Sequence, residues 1–191
     1  MTRARAFTLL LALPLGACAI TSSEYSAIDS CLETGQAWNY RSSRCEHPDP
    51  GPVDLIRVDK SAHLMSVYRR GRLVREFRVA IGRGDPGAKQ QQGDGRVPEG
   101  SYRIVAHNPS SAFHLSLRIG YPTPVQIAAA AKRGVDAGGD IMIHGLPNDR
   151  GWIGSRHTQF DWTEGCVAVT NREIEWLYKA VADGTPVEIS A

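Results

Sequence analysis

The sequence predicts a mainly β domain, β-rich α+β with about two helices, over residues 53–190. Short runs rich in β-branched and aromatic residues follow one another in the first half of this range, separated by turn residues. Only two later segments have the periodicity of a helix. A domain of this length can bury one hydrophobic core, and neither an internal repeat nor a low-complexity tract interrupts it.

Five strands are predicted in the first half of the domain. The Asp59-Lys60-Ser61 turn separates the first two strands, and Arg70-Gly71-Arg72 precedes a third whose alternation is imperfect at Arg75. The five segments are Val53–Asp59, Ala62–Tyr68, Leu73–Ile81, the run containing Tyr102, Ile104 and Ala106, and the run containing Phe113, Leu115 and Leu117.

Two helices and a last strand follow. The first helix is predicted over Pro124–Arg133 and the second over Asn171–Asp183. Thr170 and Glu173 have the spacing of a capping box at the start of the second helix. Pro186–Ile189 then returns as a strand.

Two glycine-rich stretches, at 82–87 and 93–100, lie between the predicted strands. Glycine loops can cradle phosphate, but these stretches have neither the dinucleotide-binding spacing nor a lysine followed by serine or threonine. They are therefore interpreted as a long, turn-rich connection beside the site.

Residues 1–17 have the pattern of an export signal. Arg3 and Arg5 precede an apolar run from Phe7 to Leu13, which is too short to span a bilayer stably. The following Leu15-Gly16-Ala17-Cys18 resembles a bacterial lipobox, in which Cys18 becomes the lipid-modified first residue. The resemblance implies a lipoprotein tethered to the membrane, since several acyl chains hold firmly. An ordinary cleaved signal with an incidental Cys18 is the alternative.

Removal of this leader changes the charge. Arg3 and Arg5 are its only ionisable side chains, so the formal net charge of +2 falls to zero. A neutral protein lacks the basic face that nucleic-acid binding requires. The composition therefore argues against a nucleic-acid partner.

Residues 18–52 have the character of a linker that ends in a proline-rich run. Export to an oxidising compartment favours a disulfide between Cys31 and Cys45. That pairing leaves Cys166 as an odd thiol, which in an exported protein suggests a reactive group. Pairing of Cys166 with either of the other two cysteines remains the alternative, and it would abolish any activity that depends on the thiol.

Cys166 and His144 are the candidate catalytic pair. Cys166 follows Gly165 at the start of an apolar run, and His144 ends another apolar run before Gly145. A thiol attacks as its thiolate, which a histidine within hydrogen-bond reach generates by taking the proton. Backbone N–H groups at Gly165-Cys166 are candidate oxyanion donors. A small buried cysteine and a core histidine are the structural alternatives.

A metal site is the other chemistry that these residues allow. His157 lies between the pair, so that His144, His157 and Cys166 would be the ligands of a zinc ion. No close pair has ligand spacing, however, so no metal and no other cofactor is predicted. His107 and His114 are interpreted as structural or rim residues.

Several motifs occur in the order typical of one enzyme family. They are Val58-Asp59-Lys60, Pro98-Glu99-Gly100-Ser101-Tyr102-Arg103-Ile104, Ser116-Leu117-Arg118-Ile119-Gly120-Tyr121-Pro122, His144-Gly145, Gly165-Cys166 and Gly184-Thr185-Pro186-Val187. Together they resemble the YkuD-like L,D-transpeptidase catalytic domain over about Val53 to Ile189.

The resemblance implies a β-sandwich or barrel-like domain that acts on peptidoglycan stem peptides. In this picture Cys166 attacks the carbonyl of the L-centre before a terminal D-residue and releases that residue. The acyl group then passes to a diaminopimelate amine, and His144 acts as base and then as acid. The family also implies that the carbonyl of Gly145 orients His144.

Some positions depart from the family pattern. The family pattern has serine or threonine and then histidine before Gly-Cys. Thr163 matches this pattern, but Glu164 replaces the histidine, and Ala168 replaces an arginine that many members have. The run Gly-Cys-Val-Ala-Val-Thr-Asn is more similar to a subgroup that includes hydrolases. Trp152 and Trp162 are candidates for lid or sugar-stacking residues, or for purely structural ones.

Three hypotheses for function follow. The first is an L,D-transpeptidase in cell-wall remodelling, and the second is a murein amidase or L,D-carboxypeptidase with the same site. The third is a non-catalytic wall-binding lipoprotein. The expected location is the periplasmic face of the envelope, and Ala19 favours the outer membrane if the host has two membranes. A monomer is assumed.

Overall fold

The computed structural model describes residues 20–49 and 51–191. The predicted leader and the lipobox residue Cys18 lie outside these residues. Within them, no helix is both long enough and apolar enough to cross a membrane.

The described chain contains ten strands, three α-helices and one 3₁₀ helix. The helices are α1 (Ser22–Glu33), α2 (Pro124–Lys132), the 3₁₀ helix (Gly151–Gln159) and α3 (Asn171–Ala180). The strands are β1 (Ala37–Asn39), β2 (Arg44–Glu46), β3 (Leu55–Asp59), β4 (Leu64–Arg69), β5 (Arg72–Arg78), β6 (Gly100–Ser111), β7 (His114–Ile119), β8 (Met142–His144), β9 (Val167–Ala168) and β10 (Pro186–Ser190).

Eight strands form one sheet in the order β5-β4-β3-β10-β6-β7-β8-β9. Neighbours are antiparallel except for two parallel pairs, β10 with β3 and β8 with β9. A bridge between Ala80, just after β5, and Ala168 in β9 joins the two ends of this order. The sheet is therefore curled, and its last two strands are held from both sides.

One hydrophobic core lies inside the curled sheet and against α3. Its fully buried side chains include Phe77, Ile104, Leu117, Ile143 and Leu177. The prediction of a mainly β domain is confirmed, and each of the five early strands is present with shifts of a few residues at its ends.

The second predicted helix, α3, begins as expected and ends early. The Thr170–Glu173 capping box is formed in both directions. The helix ends at Ala180 rather than Asp183, because Val181 takes extended dihedrals at the C-cap. The irregular position in β5 also has an explanation: Arg75 is buried with its guanidinium 4.8 Å from the Phe77 ring centroid and 5.3 Å from that of Trp176.

The expectation of a linker over residues 18–52 is wrong for the part that the structure describes. Helix α1 buries one apolar face there, and β1 and β2 form a hairpin. A disulfide joins Cys31 of α1 to Cys45 of β2. Helix, hairpin and disulfide, residues 20–49, are called the N-terminal module below.

The N-terminal module is packed onto the domain by polar contacts as well as apolar ones. Arg41 binds the Glu76 carboxylate through two nitrogens at 2.5 and 2.7 Å, and Tyr40 donates to Glu173 at 3.3 Å. The composition of residues 18–52 predicted a linker without a core, but the buried face of α1 and the disulfide give this short module its own small core.

Candidate active site

The parallel pair of β8 and β9 brings Cys166 and His144 to one face of the sheet. Ile143 pairs with Val167 and His144 with Ala168, so Cys166 lies beside Met142. Side chains alternate between the faces of a strand. Cys166 and His144 therefore project from the same face of the sheet, while Ile143 and Val167 project into the core.

The thiol lies against the backbone of the neighbouring segment, residues 140–142. Its sulfur donates to the carbonyl oxygen of Asp140 at 3.5 Å, and the backbone N–H of Met142 acts to lower the pKa of the thiol. Asp140 has a φ of 53°, which turns its carbonyl into this position. Among the described contacts, no hydrogen bond joins the thiol to the imidazole of His144, so the two side chains share a face of the sheet but are not bonded to each other.

His144 is held in a single orientation. Its Nδ1 lies 2.7 Å from the carbonyl oxygen of Gly145, the contact that the family resemblance implied. The Phe113 and Trp162 rings lie against the imidazole at centroid distances of 4.4 and 5.7 Å. Because Nδ1 donates to a carbonyl, Nε2 is the nitrogen with a lone pair for the thiol proton.

Burial controls the ionisation of both groups. His144 is 3% exposed, and burial lowers its pKa to about 4 although the bond to Gly145 opposes the shift. Burial also raises the pKa of the Cys166 thiol, against the opposing effects of the Met142 N–H and the Lys89 ammonium. Near neutral pH the free protein thus holds a thiol and a neutral imidazole. The imidazole is able to accept a proton, and the thiolate forms only when the proton moves.

Gly165 gives the chain the turn that presents Cys166. Its φ is +121°, and a β-carbon there would lie 2.6 Å from the carbonyl oxygen of Arg96. Its N–H already donates to the Thr163 hydroxyl at 3.3 Å, and the same hydroxyl donates to the Cys166 carbonyl at 2.7 Å. The N–H of Gly165 is therefore not free for the expected oxyanion role in this structure. Its contribution is conformational.

His157 lies behind this pair on the 3₁₀ helix. It is 3% exposed, and neither of its ring nitrogens bonds another described residue. Burial, with a smaller effect from His144, lowers the pKa of His157 to about 3. Its ring packs at 6.4 Å from Trp162, which in turn contacts His144. No group of three or more His, Cys, Asp or Glu residues within residues 20–49 and 51–191 is arranged to hold a metal ion.

The 3₁₀ helix is supported by the N-terminal module. Asp29 of α1 accepts a hydrogen bond from the Ser155 N–H at 2.7 Å, and the Ser155 hydroxyl donates to the Tyr25 carbonyl at 3.2 Å. Gly154 makes this approach possible, because a β-carbon there would lie 2.6 Å from the Asp29 carboxylate. No sequence motif indicated this contact between residues far apart in the chain.

The remaining candidates lie at the edges of the site or away from it. Trp152 is 83% exposed on the 3₁₀ helix, whereas the Trp162 ring packs against the imidazole of His144. His107 and His114 contact the carboxylates of Asp183 and Glu175 at 2.7 and 2.9 Å.

The model of the L,D-transpeptidase catalytic domain (YkuD) matches residues 54–189. The chain belongs to this family. The match includes β3 to β10, Cys166 and His144, and it leaves the N-terminal module outside.

Two solved structures share the L,D-transpeptidase fold of this chain. The helical cell shape determining protein Pgp2 from Campylobacter jejuni is 24% identical, with a TM-score of 0.55, over 73% of this chain and 48% of that one. Bd1075 from Bdellovibrio bacteriovorus is 22% identical, with a TM-score of 0.51, over 81% and 51%. The chain thus spans about half the length of these structures. No curated protein matches it.

Two exposed ion pairs involve residues next to Cys166 in this L,D-transpeptidase domain, and neither pair was predicted from the sequence. Arg83 contacts Glu164 at 2.5 Å, next to Gly165, and Arg118 contacts Asp140 at 3.0 Å, whose carbonyl holds the sulfur. Glu164 is the residue that replaces the usual histidine of the family. Only the backbone pairing of distant segments brings these charges together.

Proposed function

We propose that the chain is a peptidoglycan L,D-transpeptidase that uses Cys166 as its nucleophile and His144 as its base. The observation that carries the proposal is the parallel pairing of β8 with β9, which aims both side chains from one face of the sheet. The bond from Nδ1 to Gly145 supports it, because it leaves Nε2 as the proton acceptor.

Acylation begins from the neutral pair. A stem peptide displaces the weak contact between the thiol and Asp140, and His144 takes the thiol proton as the sulfur attacks the carbonyl of the L-centre. The Met142 N–H stabilises the developing negative charge on sulfur. Collapse of the tetrahedral intermediate breaks the C–N bond, His144 protonates the leaving amine, and the terminal D-residue departs. A thioester remains on Cys166.

The second half of the reaction transfers the acyl group. In the transpeptidase, a diaminopimelate amine attacks the thioester, a C–N bond forms, and the sulfur leaves with the proton that passes through His144. With water as the acceptor the same steps give a carboxypeptidase or an amidase. The run from Gly165 to Asn171, which resembles that of a hydrolase subgroup, favours this second candidate.

The decisive experiment is product analysis. Purified protein is incubated with disaccharide-tetrapeptide, and products are identified by mass. A dimer with an L,D cross-link supports transpeptidation, and tripeptide alone supports hydrolysis. Absence of any product, together with failure of Cys166 to be acylated by a carbapenem under reducing conditions, would leave only the wall-binding alternative.

Cys166→Ser is the matched control for this experiment. The substitution is nearly isosteric, so the free energy of unfolding should stay within about 1 kcal/mol of wild type. Turnover should nevertheless disappear, because the hydroxyl is a far weaker nucleophile near a neutral imidazole. Retention of activity in this variant would refute the role of the thiol.

We also propose that the protein is exported and lipid-anchored through Cys18. The support is the leader pattern and the Leu-Gly-Ala-Cys sequence that ends it. Radiolabelled palmitate should be incorporated into the wild-type protein in cells and not into Cys18→Ser. Equal labelling of the two, or no labelling of either, would refute the anchor.

A further inference from the structure

The Arg83–Glu164 pair is placed beside the nucleophile by the backbone. The Arg83 N–H donates to the Thr163 carbonyl at 2.9 Å, and Gly82 forms a bridge with Thr163. Because of these contacts, residues 82–83 lie alongside residues 163–164, which directly precede Gly165 and Cys166. The two charged side chains therefore stay beside the turn whether or not they bind each other.

Both side chains of the pair are available to a ligand. Arg83 is 64% and Glu164 65% exposed, and neither makes another ion pair or side-chain hydrogen bond among the described residues. An exposed pair of this kind contributes little to folding stability. With 2.5 Å between them, a positive and a negative group lie side by side next to the turn that carries Cys166.

The second pair is different. The carbonyl of Asp140 holds the thiol, so Arg118 and Asp140 are connected to the nucleophile itself. Arg83 and Glu164 can instead separate and bind a ligand without moving any atom that contacts the Cys166 sulfur.

We propose that Arg83 and Glu164 form the subsite for the acyl acceptor, and that they select an amine whose own carbon carries a carboxylate. This inference rests on the proposed function. A diaminopimelate centre carries an ammonium and a carboxylate on one carbon, which is the charge pattern complementary to this pair. Arg83 binds the carboxylate through its planar guanidinium, and Glu164 attracts the ammonium.

The chemical step is still attack of the acceptor amine on the thioester at Cys166. The bound ammonium loses one proton to water, and the neutral amine then attacks the thioester carbonyl. A C–N bond forms and the C–S bond breaks, while the second proton passes from the amine through His144 to the sulfur of Cys166. Arg83 and Glu164 hold the acceptor for this attack and exchange no proton.

The test separates acylation from acyl transfer. The wild type, Arg83→Gln and Glu164→Gln are acylated with disaccharide-tetrapeptide, and the thioester is followed by mass. Acceptor tripeptides are then added in two forms, with the diaminopimelate carboxylate free or amidated. Arg57→Gln and Glu188→Gln are matched controls, since they remove an exposed Arg–Glu pair at 2.8 Å on β3 and β10.

The acylation rate should stay within about twofold of wild type in all variants. With the free acceptor, Arg83→Gln should raise the acceptor KM about tenfold, the value for loss of one charge-assisted hydrogen bond. Glu164→Gln should raise it several-fold. With the amidated acceptor, Arg83→Gln should match wild type.

The proposal is overturned if Arg83→Gln weakens both acceptors equally, slows acylation instead, or behaves like the Arg57→Gln control. Normal acylation with unchanged acceptor use in the variants refutes the subsite and leaves the proposed function intact. A wild-type protein that is never acylated refutes both. Acylation followed only by hydrolysis with every acceptor also refutes the subsite.

Discussion

Replacement of Gly165 by alanine should destabilise the protein and disable the site. A β-carbon at this position meets the Arg96 carbonyl oxygen at 2.6 Å and the Ile141 side chain at 3.5 Å, and the φ of +121° is unfavourable for alanine. The backbone conformation costs about 1–3 kcal/mol, and the forced contact costs about 1–3 kcal/mol more. The free energy of unfolding should therefore fall by about 4 kcal/mol.

Gly87→Ala is the control for this prediction. Gly87 has a similar φ of +106°, but a β-carbon there meets nothing within 4 Å, so only the backbone cost applies. Urea unfolding of both variants measures the difference, which should be about 1–3 kcal/mol in favour of Gly87→Ala. Acylation by a carbapenem should be slow only in Gly165→Ala. Equal stability of the two variants would show that the contact with Arg96 does not constrain the turn.

Three further predictions concern the elements around the site. Because the pKa of His144 is lower in the folded than in the unfolded protein, its contribution to stability is present above pH 6.5 and lost as the pH falls toward 4. The free energy of unfolding should lose about 3 kcal/mol over this pH range. Urea unfolding should therefore depend less on pH in His144→Asn than in the wild type, and an identical pH dependence in the two proteins would refute the prediction. Reduction of the disulfide between Cys31 and Cys45, 14 residues apart, should lower stability by about 3 kcal/mol, with the oxidised protein as reference. Asp29→Ala should cost about 1 kcal/mol through the freed Ser155 N–H. Asp29→Ala should also slow acylation, whereas Asp29→Asn, which keeps a side-chain oxygen, should retain most activity. Normal acylation in Asp29→Ala would show that the hydrogen bond from Ser155 to Asp29 does not support the site.

The parts of the fold that follow from local sequence were predictable. The β-branched and aromatic run that became β4 and the Thr170–Glu173 spacing are properties of neighbouring residues, and the strand and the capping box both appear as expected. The apolar runs that adjoin His144 and Cys166 became the short strands β8 and β9. Their parallel pairing depends on the rest of the sheet and has no local signal.

The features that sequence reasoning missed all depend on contacts between distant segments. Helix α1 lies in a stretch whose low apolar content suggests a linker, and its burial becomes favourable only through the disulfide and the domain surface. The pairing of Arg83 with Glu164 needs the bridge at Gly82 and Thr163. The use of the Gly165 N–H by Thr163 likewise depends on the exact shape of the turn.

The hydrogen bond from Ser155 to Asp29 has a practical consequence for anyone shortening this protein. A chain that starts at Val53 keeps the whole region that the family model matches, yet it loses helix α1, which supports the 3₁₀ helix behind His144. Such a fragment would expose the surface that α1 covers and leave the turn carrying His157 without its anchor. The unit that must fold together around this site is therefore larger than the region that the family model matches.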